Sequence, residues 1–117
     1  MKIKETIQGK VAILSPSGNL MGGPDTQELH DHVKSLISDG IKSVVIDLGK
    51  VKWMNSSGLG ALIAVMTSLK NAGGSLKLAS VTNKVNSLLM ITQMIQIFET
   101  YATSERAAAS FLEEPKA

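Results

Sequence analysis

Ser56-Ser57-Gly58-Leu59-Gly60 places two hydroxyls and two glycines at the junction of an apolar strand pattern and an amphipathic helix pattern. Ahead of it, Ser43–Leu48 reads as a buried strand; after it, Leu59, Leu62, Ile63, Met66 and Leu69 recur at helical spacing. A helix start leaves several backbone N–H groups unpaired and carries partial positive charge, a setting that favours phosphate. A serine there can equally cap the helix through its side-chain oxygen. The glycines need a further reason, since each costs about 1 kcal/mol relative to alanine inside a helix. Close approach of the sheet, a ligand or another protein's backbone would supply it.

Other candidates for chemistry are weaker. His30 and His32, the chain's two histidines, lie two apart on a helical stretch and point to nearly opposite sides, so they read as surface residues that cannot share a metal. Ser56 and Ser57 have no evident His and acid to complete a nucleophilic triad, and NSSGLG is not a nucleophile elbow. The glycines lack the lysine of a phosphate loop. Asp47, at a strand end, reads as a loop-fixing hydrogen-bond acceptor. No catalytic residue, metal or cofactor is expected.

The elements that must position the junction form an α/β pattern. Lys2–Ile7 and Lys10–Pro16 read as an antiparallel hairpin turning at Gln8-Gly9. Pro24 and Asp25 open a helix with Leu29, Val33, Leu36 and Ile37 on one face, and Gly40 ends it. Then come a strand (41–48), the helix from Ser56 to about Asn71–Gly74, a strand (75–79), a helix (83–91), a strand (97–101) and a helix (104–112). The expectation is a mixed sheet of about five strands with an N-terminal antiparallel hairpin and about four helices. Its helices should lie on the face covered by the right-handed crossover. In open α/β sheets, ligands sit at strand carboxyl ends near helix starts. The loop Asn19–Asp25 should therefore lie beside Ser56. Met21, Trp53, Met54 and Leu59 would offer contact area to a partner, unless Trp53 and Met54 belong to the core.

With 117 residues and 44% hydrophobic content, one domain spanning 1–117 is expected, with residues 112–117 as a frayed tail. No cysteine is present, so disulfides and thiolate metal sites are excluded. The alternating N-terminus does not read as a signal peptide, and no stretch reaches the length of a membrane span, which points to a soluble, cytoplasmic protein. The net charge of +2 is spread along the sequence without interleaved aromatics, which argues against direct nucleic-acid binding.

The stretch VVIDLGKVKWMNSSGLGALI resembles the signature of the anti-sigma factor antagonist family, the STAS domains, whose usual form runs D-S-S/T-G-L-G. The segment from Gly73 to Leu78 and the element order also suit that family. The resemblance implies a partner-switching module without catalytic activity, phosphorylated by a serine/threonine protein kinase that is also the anti-sigma factor. By position the phosphorylated residue is Ser56. The implied partner-binding surface comprises Met21, Gly22, Asp25, Asn55, Ser56, Ser57, Gly58, Leu59 and Gly60. A phosphatase is a further implied partner. Asn55 stands where many relatives have Asp, which removes a charge beside the hydroxyl. A constitutive subunit of an ABC-type lipid-transport assembly, or a regulatory subunit of a larger stress-sensing complex, are the alternatives.

Overall fold

A computed structural model describes residues 1–113. The elements run β1 (Lys2–Gln8), β2 (Val11–Leu20), α1 (Pro24–Ser38), β3 (Ser43–Asp47), β4 (Val51–Met54), α2 (Ser56–Asn71), β5 (Ser75–Ala79), α3 (Asn83–Ile91), a 3-10 turn (Met94–Gln96), β6 (Glu99–Tyr101) and α4 (Ser104–Glu113). The sheet has six strands in the order β1-β2-β3-β5-β6, with β4 paired to β2 off that path. The β1–β2 pair is antiparallel and β2–β3, β3–β5 and β5–β6 are parallel. The hairpin turns at Gly9-Lys10, one residue later than expected, because Gln8 pairs with Val11.

Strand alternation divides the apolar residues between two faces. Ala12 and Leu14 of β2, Val44 and Ile46 of β3, and Leu76 and Leu78 of β5 face one way. They form the main core with Leu29 and Val33 of α1, Leu62 and Leu69 of α2, and Leu89 of α3. Val11, Ile13, Val45 and Ala79 face the other way and meet Ala107 and Ala108 of α4. The expectation of one helical face is therefore corrected. The odd positions of β2 and β3 are also apolar, and only a second helix can remove them from water.

Lys77 lies on the α4 face of β5 and is only 2% exposed. Its ammonium donates to Ser110 Oγ at 2.8 Å, sits 3.2 Å from Glu99 Oε2, and lies 4.1 Å from the centre of the Phe111 ring. The Tyr101 hydroxyl also donates to Glu99 Oε2. That bond, followed by Lys77, holds the Glu99 carboxyl below its ordinary value.

Several boundaries differ from expectation, and β3 is shorter, at Ser43–Asp47 instead of 41–48. β2 continues through Pro16 to Leu20, β6 begins at Glu99 instead of Ile97, and α4 extends through Leu112 and Glu113. The remainder of the expected frayed tail lies outside the described residues. No helix among the described residues is long and apolar enough to cross a membrane.

Candidate functional site

The site forms where β2 changes partner. Up to Ser17, β2 runs beside β1, and at Gly18 the register shifts so that Asn19 and Leu20 pair with Trp53 and Met54 of β4. The Gly18 N–H donates to the Lys50 carbonyl at 3.1 Å, and the Asn55 N–H to the Leu20 carbonyl at 3.3 Å. Two parallel strands thus end side by side, and each feeds a helix start: α1 through Met21-Gly22-Gly23 and α2 through Asn55. β4 escaped the sequence reading because it has four residues and only Val51 is buried, which leaves no periodic signal.

Asn55, not Ser56, caps α2. Its Oδ1 accepts from the Gly58 N–H at 2.9 Å, and its Nδ2 donates to the Met21 carbonyl at 3.2 Å. The Leu59 N–H completes the first helical bond to the Asn55 carbonyl at 2.9 Å. Ser56 and Ser57 occupy the first two helical positions with their side chains exposed. The first turn carries no acidic residue, so no formal negative charge there offsets the positive end of the helix.

The two glycines of this turn have different causes. A Cβ built on Gly58 would stand 1.8 Å from the Leu20 carbonyl oxygen, so only glycine lets α2 rest on the end of β2. Gly60 is exposed, and a Cβ there would meet nothing within 4 Å. The fold explains Gly58 and leaves Gly60 free for a surface that approaches from outside. Gly22, at φ +92°, brings its backbone against Ser57, where a Cβ would lie 3.1 Å from Ser57 Cβ. A shallow groove of about 300 Å³ continues between α1 and α2, lined by Gly22, Thr26, His30, Ser57, Ala61 and Ala64.

The expected surface residues separate into exposed and supporting ones. Met21 (48%) and Trp53 (53%) are exposed, and Met54 is half-buried against the core. Trp53 is thereby a surface residue, its ring 3.5 Å beneath the Lys84 ammonium. Leu59 is only 4% exposed and belongs to the core, so it supports the surface from below and does not form it. Asp25 is exposed and accepts from the Met1 amino group at 3.1 Å. Asp47 fixes its loop as expected, with Oδ1 accepting from the Gly49 N–H at 2.9 Å and Oδ2 from the Ser80 hydroxyl at 3.3 Å. The histidines diverge: His30 Nε2 lies 3.4 Å from Ser68 Oγ, and His32 Nε2 2.6 Å from Glu5 Oε1.

The sequence reading missed a gathering of lysines beside this site. Lys2, Lys50 and Lys52 surround an open basin of about 780 Å³, and Lys52 and Lys84 flank Trp53 in a second recess. The four are scattered in sequence, so no local charge run announced them.

The family model described as STAS domain matches residues 2–107. BtrV of Bordetella bronchiseptica, provisionally named an anti-sigma factor antagonist, is 26% identical over 92 residues, which cover 79% of each chain. The crystal structure of a Thermotoga maritima protein, TM1081, given the same provisional name, superposes with a TM-score of 0.83 at 23% identity, covering 92% of each chain. The phosphorylated form of the Bacillus cell fate determinant SpoIIAA gives a TM-score of 0.73 at 14% identity, covering 94% of this chain and 99% of that one. Its unphosphorylated form gives 0.72 at 14% identity, covering 97% and 100%.

Proposed function

The chain belongs to the STAS domain family, and from that premise we propose that it is an anti-sigma factor antagonist controlled by phosphorylation of Ser56. Unmodified, the surface around Met21, Gly22, Asn55, Ser56, Ser57 and Gly60 binds a serine kinase that is also the anti-sigma factor, and the sigma factor is released. Phosphorylation of Ser56 breaks that contact, and a phosphatase restores it. The protein acts in the cytoplasm as a binding module and needs no cofactor of its own.

The observation that carries this reading is the exposure of Ser56 at the first position of an already capped helix. Asn55 does the capping, so the Ser56 hydroxyl is not needed for the fold and can be presented to a kinase. A phosphate there adds roughly two negative charges. Within the chain, the helix start favours that charge by about 0.3 to 1 kcal/mol. Against a partner surface it must be desolvated, at a cost of several kcal/mol, so release prevails. SpoIIAA, a protein of this fold, has been solved in both phosphorylated and unphosphorylated forms.

The test is phosphotransfer. The purified protein, incubated with ATP and each anti-sigma-type serine kinase of the source genome, gains one phosphate mapped by mass spectrometry to Ser56, and the Ser56→Ala variant gains none. Stoichiometric labelling elsewhere, or no labelling with any of these kinases, contradicts the reading.

Asn55 favours a second reading. Its neutral amide holds the two loops together without the charge that the resembled signature has at this position, which suits a constitutive docking subunit of an ABC-type lipid-transport assembly. In that case Ser56→Asp and wild type capture the same transporter components.

A further inference from the structure

Lys2, Lys50, Lys52 and Lys84 are all exposed, and no ion pair holds any of them among the described residues. They are brought together by the change of partner in β2. Lys2 opens β1 opposite Ser17, Lys50 is pinned by the Gly18 N–H on its carbonyl at 3.1 Å, and Lys52 extends from β4. Lys52 borders both recesses, so the basin and the Trp53–Lys84 pair form one continuous strip, and no acidic side chain lines either of them. Lys52 and Trp53 belong to β4, the strand that leads through Asn55 into α2 and Ser56.

Resting on the partner-switching reading above, we propose that this strip is the electrostatic half of the docking surface, and that the partner kinase covers it with an acidic patch. Unpaired cations crowded on one side of a chain with a net charge of only +2 raise the local potential well above that of the rest of the surface. Both recesses are open and shallow-walled, which suits the rim of a protein interface. Trp53, half-exposed with a cation stacked on one face, supplies the aromatic anchor such interfaces favour. The strip also explains why a phosphate at Ser56 acts decisively. An acidic partner that spans both the strip and Ser56 is repelled by the new charge.

The experiment titrates each anti-sigma-type serine kinase of the source genome against wild type, Lys50→Glu/Lys52→Glu/Lys84→Glu and the control Lys34→Glu/Lys42→Glu, at two salt concentrations. Circular dichroism confirms folding of each variant, and a Lys50→Gln/Lys52→Gln/Lys84→Gln variant removes charge without reversing it. The expected result is binding by wild type that weakens with salt, an affinity loss of about tenfold or more for the strip reversal, a smaller loss for the Gln variant, and none for the control. Equal affinities for wild type and the strip reversal would overturn the acidic patch while leaving partner switching intact. Absence of kinase binding by wild type would overturn both. Saturable binding of inorganic tripolyphosphate or ATP at these lysines, blocking the kinase, would replace the acidic protein surface with a small anionic ligand.

Discussion

The Asn55 side-chain amide donates to the Met21 carbonyl at 3.2 Å across 34 positions of sequence, while its oxygen caps α2 through Gly58. One side chain therefore fixes both the α2 start and the β2–α1 loop, and each of its ends does a different job. Aspartate at this position could perform only the capping half, because a carboxylate has no N–H to give to Met21.

Two substitutions separate those jobs. Asn55→Ala removes cap and tether and is expected to lower stability by about 1 kcal/mol. Asn55→Asp keeps the cap and gains charge at the helix start, worth about 0.3 to 1 kcal/mol, so its melting temperature stays near that of wild type. Hydrogen exchange of the Gly22 and Gly23 amides should nevertheless quicken in both variants, and equal protection in Asn55→Asp and wild type would refute the tether.

The two glycines of the α2 start predict opposite stability effects. Gly58→Ala drives a methyl into the Leu20 carbonyl and is expected to cost about 3 kcal/mol, the upper end for overpacking. Gly60→Ala has open space and should stabilise the helix by roughly 0.5 to 1 kcal/mol. If Gly60 serves a partner, the same variant binds the kinase more weakly despite its greater stability, a combination that chemical denaturation and a binding titration read independently.

Acid should weaken the fold partly through Glu99. Its carboxyl is held below its ordinary value by the Tyr101 hydroxyl and then by Lys77. A lowered folded-state value means that the carboxylate stabilises the protein above its unfolded value near 4.5 and stops doing so as pH falls through the folded one. Glu99→Gln is therefore expected to be less stable than wild type at neutral pH and to converge with it in acid. Because Glu99 is half-exposed, the difference is small. Parallel stability profiles between neutral pH and pH 3 would exclude this contribution.

Much of this architecture is legible in the sequence because strong periods carry it. The α1 face of Leu29, Val33 and Leu36, the buried run of β3, and the Asn83–Ile91 helix all appear where their patterns place them. The second helical layer was also encoded, in Val11, Ile13 and Val45, but a run that is apolar on both faces does not say which element covers it. β4 was hidden by its brevity, and with it the exposure of Trp53 that core and surface readings had left open. The lysine strip lay beyond any local reading, since Lys2 meets Lys50 and Lys52 only in the folded basin and Lys84 joins Lys52 only across the second recess.

On the proposed function, the charge state of Ser56 decides whether the partner is held. The most direct test is a calorimetric titration of the anti-sigma-type kinase with wild type, Ser56→Ala and Ser56→Asp. Tight binding by wild type and Ser56→Ala with a loss of at least about tenfold, or 1.4 kcal/mol, for Ser56→Asp is the predicted result. Equal affinity for all three would contradict it and leave Ser56 as an exposed residue of a constitutive docking surface.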